Sequence, residues 1–310
     1  MVIKMKFNKD LLGIKELSAD QINYILDTAR GMKQIINSKN KKAPHLQGKS
    51  ILTMFYENST RTRMSFELAS KYLSGVAANM AVSQSSVKKG ETLIDTARTI
   101  DVMGTDCIIM RHQNSGAPKL MAENVSASVI NAGDGMNEHP TQALLDFYTM
   151  TEKLGSIENK KVAIIGDIYH SRVARSNIYG LNKLGAEVVV AGPSTLLPKE
   201  IESLGTKAYT NIDKAIKDAD IVMALRLQLE RQQNSLFPSV YEYSKYFGVT
   251  EERLKLAKKD VLVMHPGPVN RGVELSSSLY TPESSVIDEQ VTNGVAIRMA
   301  VLYLYTKAHI

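Results

Sequence analysis

Short apolar runs and amphipathic segments take turns along almost the whole chain, and this alternation limits the folds open to it. Runs at residues 51–55, 76–82, 107–111 and 128–131 read as buried strands, and the segments 64–73, 92–103 and 117–123 between them carry helical patterns. Strands separated by helices build parallel sheets covered on both faces. A turn at Gly133-Asp134-Gly135 then precedes a long helical pattern over 139–153 that ends near Gly155. Behind it the alternation restarts, with strands at 161–165, 187–190, 207–209, 221–225 and 261–264 and helices at 173–184, 199–204, 213–219 and 251–257. Residues 294–305 form a last amphipathic pattern, and at the N-terminus Ser18-Ala19-Asp20-Gln21 fits a capping box ahead of Ile22, Ile25, Leu26 and Ala29. The expected architecture is α/β: two doubly wound parallel-sheet domains, 1–138 and 156–290, joined by a linking helix over 139–155. A length of 310 residues agrees with two cores rather than one.

Composition removes several function classes. Hydrophobic content of 44% and charged content of 23% are those of a globular protein, and no apolar stretch is long enough to span a membrane. The segment Met1-Val2-Ile3-Lys4-Met5-Lys6 lacks the apolar core of a secretion signal, so a cytoplasmic location is expected. Cys107 is the sole cysteine and sits in the run Cys107-Ile108-Ile109-Met110, where a buried structural thiol is expected. The formal charge of +6 attracts anions without choosing among them. Residues 39–42 carry no interleaved aromatics, so they read as a solvated loop and not as a nucleic-acid arm.

The chemistry concentrates at Ser59-Thr60-Arg61-Thr62-Arg63, between the strand at 51–55 and the helix that follows. Backbone N–H groups at a helix start lack intrahelical partners, and the helix dipole adds positive potential, so such a turn suits a phosphate. Arg61 adds a bidentate fork, and Ser59, Thr60 and Thr62 add hydroxyls. The alternative is an ordinary Ser/Thr N-cap followed by solvated arginines.

In open α/β sheets ligands bind beyond the carboxyl ends of strands. Arg111 and His112, then His139, Thr141 and Gln142, then Asp167, His170 and Arg172, then Arg226 and Gln228, and finally His265-Pro266-Gly267-Pro268 all occupy such positions. Ile165-Gly166-Asp167 carries one glycine where a dinucleotide fingerprint needs three, so no nicotinamide cofactor is expected. The histidines show no metal-ligand spacing, and no nucleophile elbow is present. Neither cofactor nor metal is expected.

The segment Phe55-Tyr56-Glu57-Asn58-Ser59-Thr60-Arg61-Thr62-Arg63-Met64-Ser65-Phe66-Glu67 resembles the carbamoyl-phosphate signature of the carbamoyltransferase family. Asn131-Ala132-Gly133-Asp134-Gly135 with His139-Pro140-Thr141-Gln142 is similar to the family's second block. Ser85-Ser86-Val87-Lys88-Lys89-Gly90-Glu91 and Arg226-Leu227-Gln228-Leu229-Glu230-Arg231 resemble a mobile loop and an acceptor-binding loop of its aspartate-specific members. The resemblance spans nearly the whole chain. It implies that 1–138 binds carbamoyl phosphate with the C-terminal helix 291–310 packed on it, and that 156–290 binds L-aspartate. Ser59, Thr60, Arg61 and Thr62 would hold the phosphate, with Ser85 and Lys89 lent by a neighbouring chain. Thr62, Arg111 and His139 would donate to the carbonyl oxygen. Gln142 and the backbone of Pro266, Gly267 and Pro268 would grip the carbamoyl amide, and Arg172 and Arg226, with Gln228 and Lys89, would bind the two aspartate carboxylates.

Carbamoyl transfer to L-aspartate, an early step of pyrimidine synthesis, is the implied activity, in a homotrimer with shared sites. The ornithine-specific branch is the nearest rival. Its late strand ends in a His-Cys-Leu-Pro-like sequence, whereas this chain has His265-Pro266-Gly267-Pro268, and Arg172 and Arg226 suit a dicarboxylate. A non-catalytic anion-binding homologue is the remaining alternative. Gly267 replaces the leucine many members carry, which is expected to loosen that loop. Regulatory or dihydroorotase partners are left open.

Overall fold

The computed structural model describes residues 5–80, 91–227 and 239–306. Ser85, Lys89 and Gln228 lie outside these residues. The chain divides into two compact units, Met1–Tyr148 with Thr292–Ile310, and Thr149–Val291.

The first unit opens with α1 (Ala19–Asn37). Its capping box forms as the sequence suggests: Ser18 Oγ accepts from the Gln21 amide at 3.1 Å, and the Ser18 amide donates to Gln21 Oε1 at 2.9 Å. Ile22, Ile25, Leu26, Ala29 and Met32 make its buried stripe. Then come β1 (Ser50–Phe55), α2 (Thr60–Tyr72), β2 (Val76–Met80), α3 (Leu93–Val102), β3 (Cys107–His112), α4 (Ala117–Ala122), β4 (Ser128–Asp134) and α5 (Pro140–Leu154). The sheet is parallel throughout, in the order β2-β1-β3-β4. Met54, Ile108, Met110 and Val129 fill its core against Ala97, Ile100 and Met121.

In the second unit β5 (Lys161–Ile165), α6 (Arg172–Lys183), β6 (Glu187–Ala191), β7 (Lys207–Tyr209), α7 (Ile212–Ile216), β8 (Ile221–Ala224), α8 (Val240–Phe247), α9 (Glu251–Leu254) and β9 (Leu262–Met264) follow in turn. Its parallel sheet runs β7-β6-β5-β8-β9 over a core of Ala163, Ile165, Val189, Ala191, Val222, Ala224 and Val263. The last helix, α10 (Ile287–Thr306), ends with the first unit, where Ser128 Oγ donates to the Tyr305 carbonyl at 2.9 Å and the Phe7 and Tyr305 rings lie 5.4 Å apart.

Several boundaries differ from the pattern-based expectation. The helix expected over 199–204 is a single 3₁₀ turn, Ile201–Leu204, confined between Pro198 and Gly205, which adopts φ +83°. Helix α8 has no counterpart in the sequence reading, and α10 begins at Ile287 rather than at 294. Strand β4 runs on to Asp134 because Gly133 takes φ +112° inside it.

Candidate active site

Parallel strands place all their carboxyl ends on one edge of a sheet, so topology fixes which candidates are neighbours. In the first unit β1, β3 and β4 are adjacent, with Phe55 in register with Arg111 and Met110 with Asn131. Ser59, Thr60, Arg61 and Thr62 follow β1, Arg111 lies near the end of β3, and His139 and Gln142 follow β4. One edge therefore collects all of them.

Ser59 stands at the N-cap of α2 in extended conformation, yet its side chain makes no cap hydrogen bond. Ser18, Thr92, Ser171, Ser239 and Thr250 all close their helices in the ordinary way. The Ser59 hydroxyl thus stays out of the cap, and the first-turn amides of α2 keep the anion affinity that a capping side chain would quench. Arg63 pairs along the helix surface with Glu67 at 3.8 Å.

Arg111 is fixed from two sides: Nη1 donates to the Ala132 carbonyl at 3.2 Å and Nε lies 3.3 Å from Glu57 Oε2. His139 is carried by a turn that is hydrogen-bonded almost to saturation. Asn131 Nδ2 donates to Asp134 Oδ1 at 2.7 Å and to the Leu12 carbonyl at 2.9 Å. Asp134 also accepts from the amides of Gly116 at 2.7 Å and Glu138 at 3.2 Å, and Glu138 accepts from the Ile14 amide at 2.7 Å. His139 itself is 4% exposed, and its carbonyl receives the Gln142 amide at 3.0 Å.

His112 shared a strand end with Arg111, but its chemistry is spent locally. Its Nδ1 accepts the Asn114 amide at 2.9 Å, and its ring lies 4.6 Å from that of Tyr56. Burial depresses its basicity, against the opposing pull of that backbone contact and of Glu57 and Asp134, so the ring is held neutral. Cys107 is buried, and burial pushes its thiol up to about 12, which makes it inert.

In the second unit β5, β8 and β9 are adjacent, which puts Arg172, Arg226 and residues 265–268 on one edge. Gly166 ends β5 with φ +137°, and a Cβ there would lie 3.0 Å from Leu225 Cβ and 3.1 Å from the Tyr243 hydroxyl. The single glycine thus serves close packing of β5 on β8. Arg172 opens α6 and is 3% exposed, next to Ser171, whose hydroxyl accepts the Ala174 amide at 3.1 Å. Asp167 and His170 hold each other: the carboxylate accepts the His170 amide at 3.0 Å and meets its Nδ1 at 2.8 Å. The pair is a clasp for the turn before α6.

His265 Nδ1 accepts the Gly267 amide at 2.8 Å, and its Nε2 lies 3.1 Å from Glu274 Oε1, which also accepts the Asn270 amide at 2.6 Å. The peptide Gly267-Pro268 is cis and Gly267 adopts φ +63°, a region glycine enters without a Cβ clash. Among the described residues the carbonyls of Pro266, Gly267 and Pro268 accept no backbone hydrogen bond.

Glu57, Glu274, Asp146 and Arg298 support these groups without having been singled out in the sequence. Only Asp146 left a signal there, four residues after Gln142 on one helix face.

A family model described as the aspartate/ornithine carbamoyltransferase carbamoyl-P binding domain matches residues 9–152, and one described as the Asp/Orn binding domain matches residues 158–305. The chain belongs to the aspartate/ornithine carbamoyltransferase family. This carbamoyltransferase chain is 68% identical over 307 residues to the aspartate carbamoyltransferase catalytic subunit of Acetivibrio thermocellus, covering 99% of this chain and 97% of that one. To the corresponding subunit of Ruminiclostridium cellulolyticum it is 67% identical over 300 residues, 97% of this chain and 96% of the relative. The aspartate transcarbamoylase of Trypanosoma cruzi in complex with carbamoyl phosphate and aspartate superimposes with a TM-score of 0.85 at 30% identity, over 95% of this chain and 96% of that one. The ornithine carbamoyltransferase from Pyrococcus furiosus gives 0.84 at 32% identity, again over 95% and 96%. Fold alone does not select the acceptor amino acid in this carbamoyltransferase. No helix among the described residues is long and apolar enough to cross a membrane.

Proposed function

We propose that this chain transfers the carbamoyl group of carbamoyl phosphate to the amino group of L-aspartate, giving N-carbamoyl-L-aspartate and phosphate. The observation that carries the reading is the uncapped start of α2, where Ser59 leaves its own hydroxyl and the first-turn amides to an anion. Relatives 67% and 68% identical over nearly their full length, both named aspartate carbamoyltransferase catalytic subunits, support L-aspartate as acceptor over ornithine. Buried Arg172, with Arg226 on the same sheet edge, agrees with a dicarboxylate.

The reaction asks the protein for placement and charge. The aspartate amine attacks the carbamoyl carbon, the bond from that carbon to the phosphate oxygen breaks, and the amine proton leaves with the phosphate. No protein base is required. Negative charge rises on the carbonyl oxygen, where Thr62, Arg111 and His139 donate; removal of one such donor typically costs about 10²–10³ in rate. Ser59, Thr60, Arg61 and Thr62 hold the phosphate, joined by Ser85 and Lys89 of a neighbouring copy in a homotrimer. Gln142 and the backbone of Pro266, Gly267 and Pro268 hold the carbamoyl amide. Lys89, Arg172, Arg226 and Gln228 hold the aspartate carboxylates. The cytoplasm is the compartment this reading assigns.

Phosphate release that requires carbamoyl phosphate and L-aspartate together is the expected result. Turnover with L-ornithine and none with L-aspartate would reassign the acceptor, and no release with either would leave a non-catalytic anion-binding protein.

A further inference from the structure

We infer that Asp146 is a positioning residue for carbamoyl transfer: it turns the amide of Gln142 so that the amide oxygen faces the carbamoyl NH₂ group, while Arg298 balances its charge. The inference rests on the functional reading above and deepens it.

Gln142 Nε2 lies 3.0 Å from Asp146 Oδ1, one helical turn along α5, and the two residues are 8% and 0% exposed. A carboxylate only accepts hydrogen bonds, so the atom facing it has to be the amide nitrogen. The orientation of the glutamine is thereby fixed by chemistry. Oε1 is directed away and accepts no hydrogen bond among the described residues. A carbamoyl NH₂ presents two donors and needs such an acceptor; a Gln142 turned the other way would set donor against donor.

The device requires a charged carboxylate in a fully buried position, which needs a nearby cation. Arg298 of α10 is 5% exposed, and its Nε has no hydrogen-bond partner among the described residues. Its guanidinium carbon stands 5.2 Å from the centre of the Phe66 ring on α2. A Cβ added at Gly294 would come within 2.6 Å of its Nη1 and 3.2 Å of Leu145 Cδ2, so the head group folds over that glycine beside α5. Burial lowers Arg298 to about 10, with Asp146 opposing the fall and Arg61 adding to it, and the group stays protonated at neutral pH. Residues of α2, α5 and α10 thus surround one buried cation that lies within electrostatic reach of Asp146 and of Arg61.

Acetyl phosphate tests this directly, because it keeps the phosphate and carbonyl of carbamoyl phosphate and replaces NH₂ by methyl. In Asp146→Asn the new amide can donate as well as accept, and Gln142 populates both orientations. The KM for carbamoyl phosphate should rise by about fivefold or more, with the Ki of acetyl phosphate unchanged within about twofold and the melting temperature showing a folded chain. On a Gln142→Ala background, Asp146→Asn should add nothing to the loss already present. Equal weakening of both ligands, or an undiminished loss on that background, overturns the inference while leaving carbamoyl transfer standing. If the unaltered chain forms no carbamoyl aspartate, the functional reading and this inference fall together. Asp146→Ser, with the same readouts, replaces the asparagine variant if that one does not fold.

Discussion

The imidazole of His265 accepts the Gly267 amide on Nδ1 at 2.8 Å, and its Nε2 faces Glu274 Oε1 at 3.1 Å. One ring therefore sets the path of the backbone between the two prolines while a buried carboxylate fixes its tautomer. His265→Ala should raise the KM for carbamoyl phosphate by about tenfold with a smaller change in kcat, and should lower stability by about 1–3 kcal/mol because Glu274 loses a donor. Steady-state kinetics with urea unfolding reads both effects.

His139 and Arg111 are placed on the carboxyl edge of the first sheet, where the proposed function assigns them to the carbonyl oxygen. His139→Ala is expected to lower kcat by about 10²–10³ at saturating substrates. Near-normal turnover would remove His139 from the oxyanion donors.

Mixing separately inactive chains tests the shared site. In the proposed shared site Lys89→Ala and Arg61→Ala damage different parts, so mixed oligomers should contain some sites built from an intact Arg61 and an intact Lys89 from another copy. Recovered carbamoyl transfer after mixing is the expected result. Verified mixed oligomers without recovery would count against a loop lent between copies.

His112 gives a pH signature of stability. Its folded-state pKa is lowered by burial, so the unfolded chain binds the proton more readily. The contribution is complete above the ordinary histidine value of about 6.5 and fades as pH falls below it. His112→Asn keeps an acceptor for the Asn114 amide and removes the titration. Melting curves from pH 8 to pH 5 should fall more steeply for the unaltered chain than for this variant.

Asp106 and Asp220 perform the same task in the two units. Asp106 accepts the amide of Ser50 at 2.8 Å and Lys49 Nζ at 2.9 Å; Asp220 accepts the amide of Lys161 at 2.9 Å and Lys258 Nζ at 2.9 Å. Each lies just before one strand and anchors the start of the strand beside it. Burial raises both carboxyls, but the hydrogen bonds and lysines outweigh it and leave both below the ordinary value of 3.8. Their stabilisation is present above that value and is lost as pH falls through the lowered one. Asp220→Ala should cost about 2 kcal/mol at pH 7, and the difference from the unaltered chain should shrink as pH falls below 3.8.

Much of this molecule is local in origin. The capping box of Ser18 and Gln21, the buried stripe of α1 and the runs that become β1, β3, β5 and β8 depend on residues a few places apart, so the sequence displays them. The strand-end rule likewise selected Arg111, His139, Arg172 and Arg226, because parallel strands leave one edge for ligands. Helix α8 escaped because its one buried side chain, Tyr243, gives no periodic stripe to recognise.

What only the tertiary structure decided is which polar groups are already engaged. Ser59 and Ser18 are the same residue type at the same helix position, yet one side chain caps and the other does not. His112 and His139 both follow apolar runs, and only the tertiary structure shows that burial depresses the basicity of the His112 ring against the pull of its backbone contact. Glu57 meets Arg111, Glu138 meets Ile14, and Arg298 comes within electrostatic reach of Asp146, all across long stretches of chain. Sequence periodicity records which face of an element is apolar; hydrogen bonds and buried charges are settled between elements, where distance along the chain carries no information.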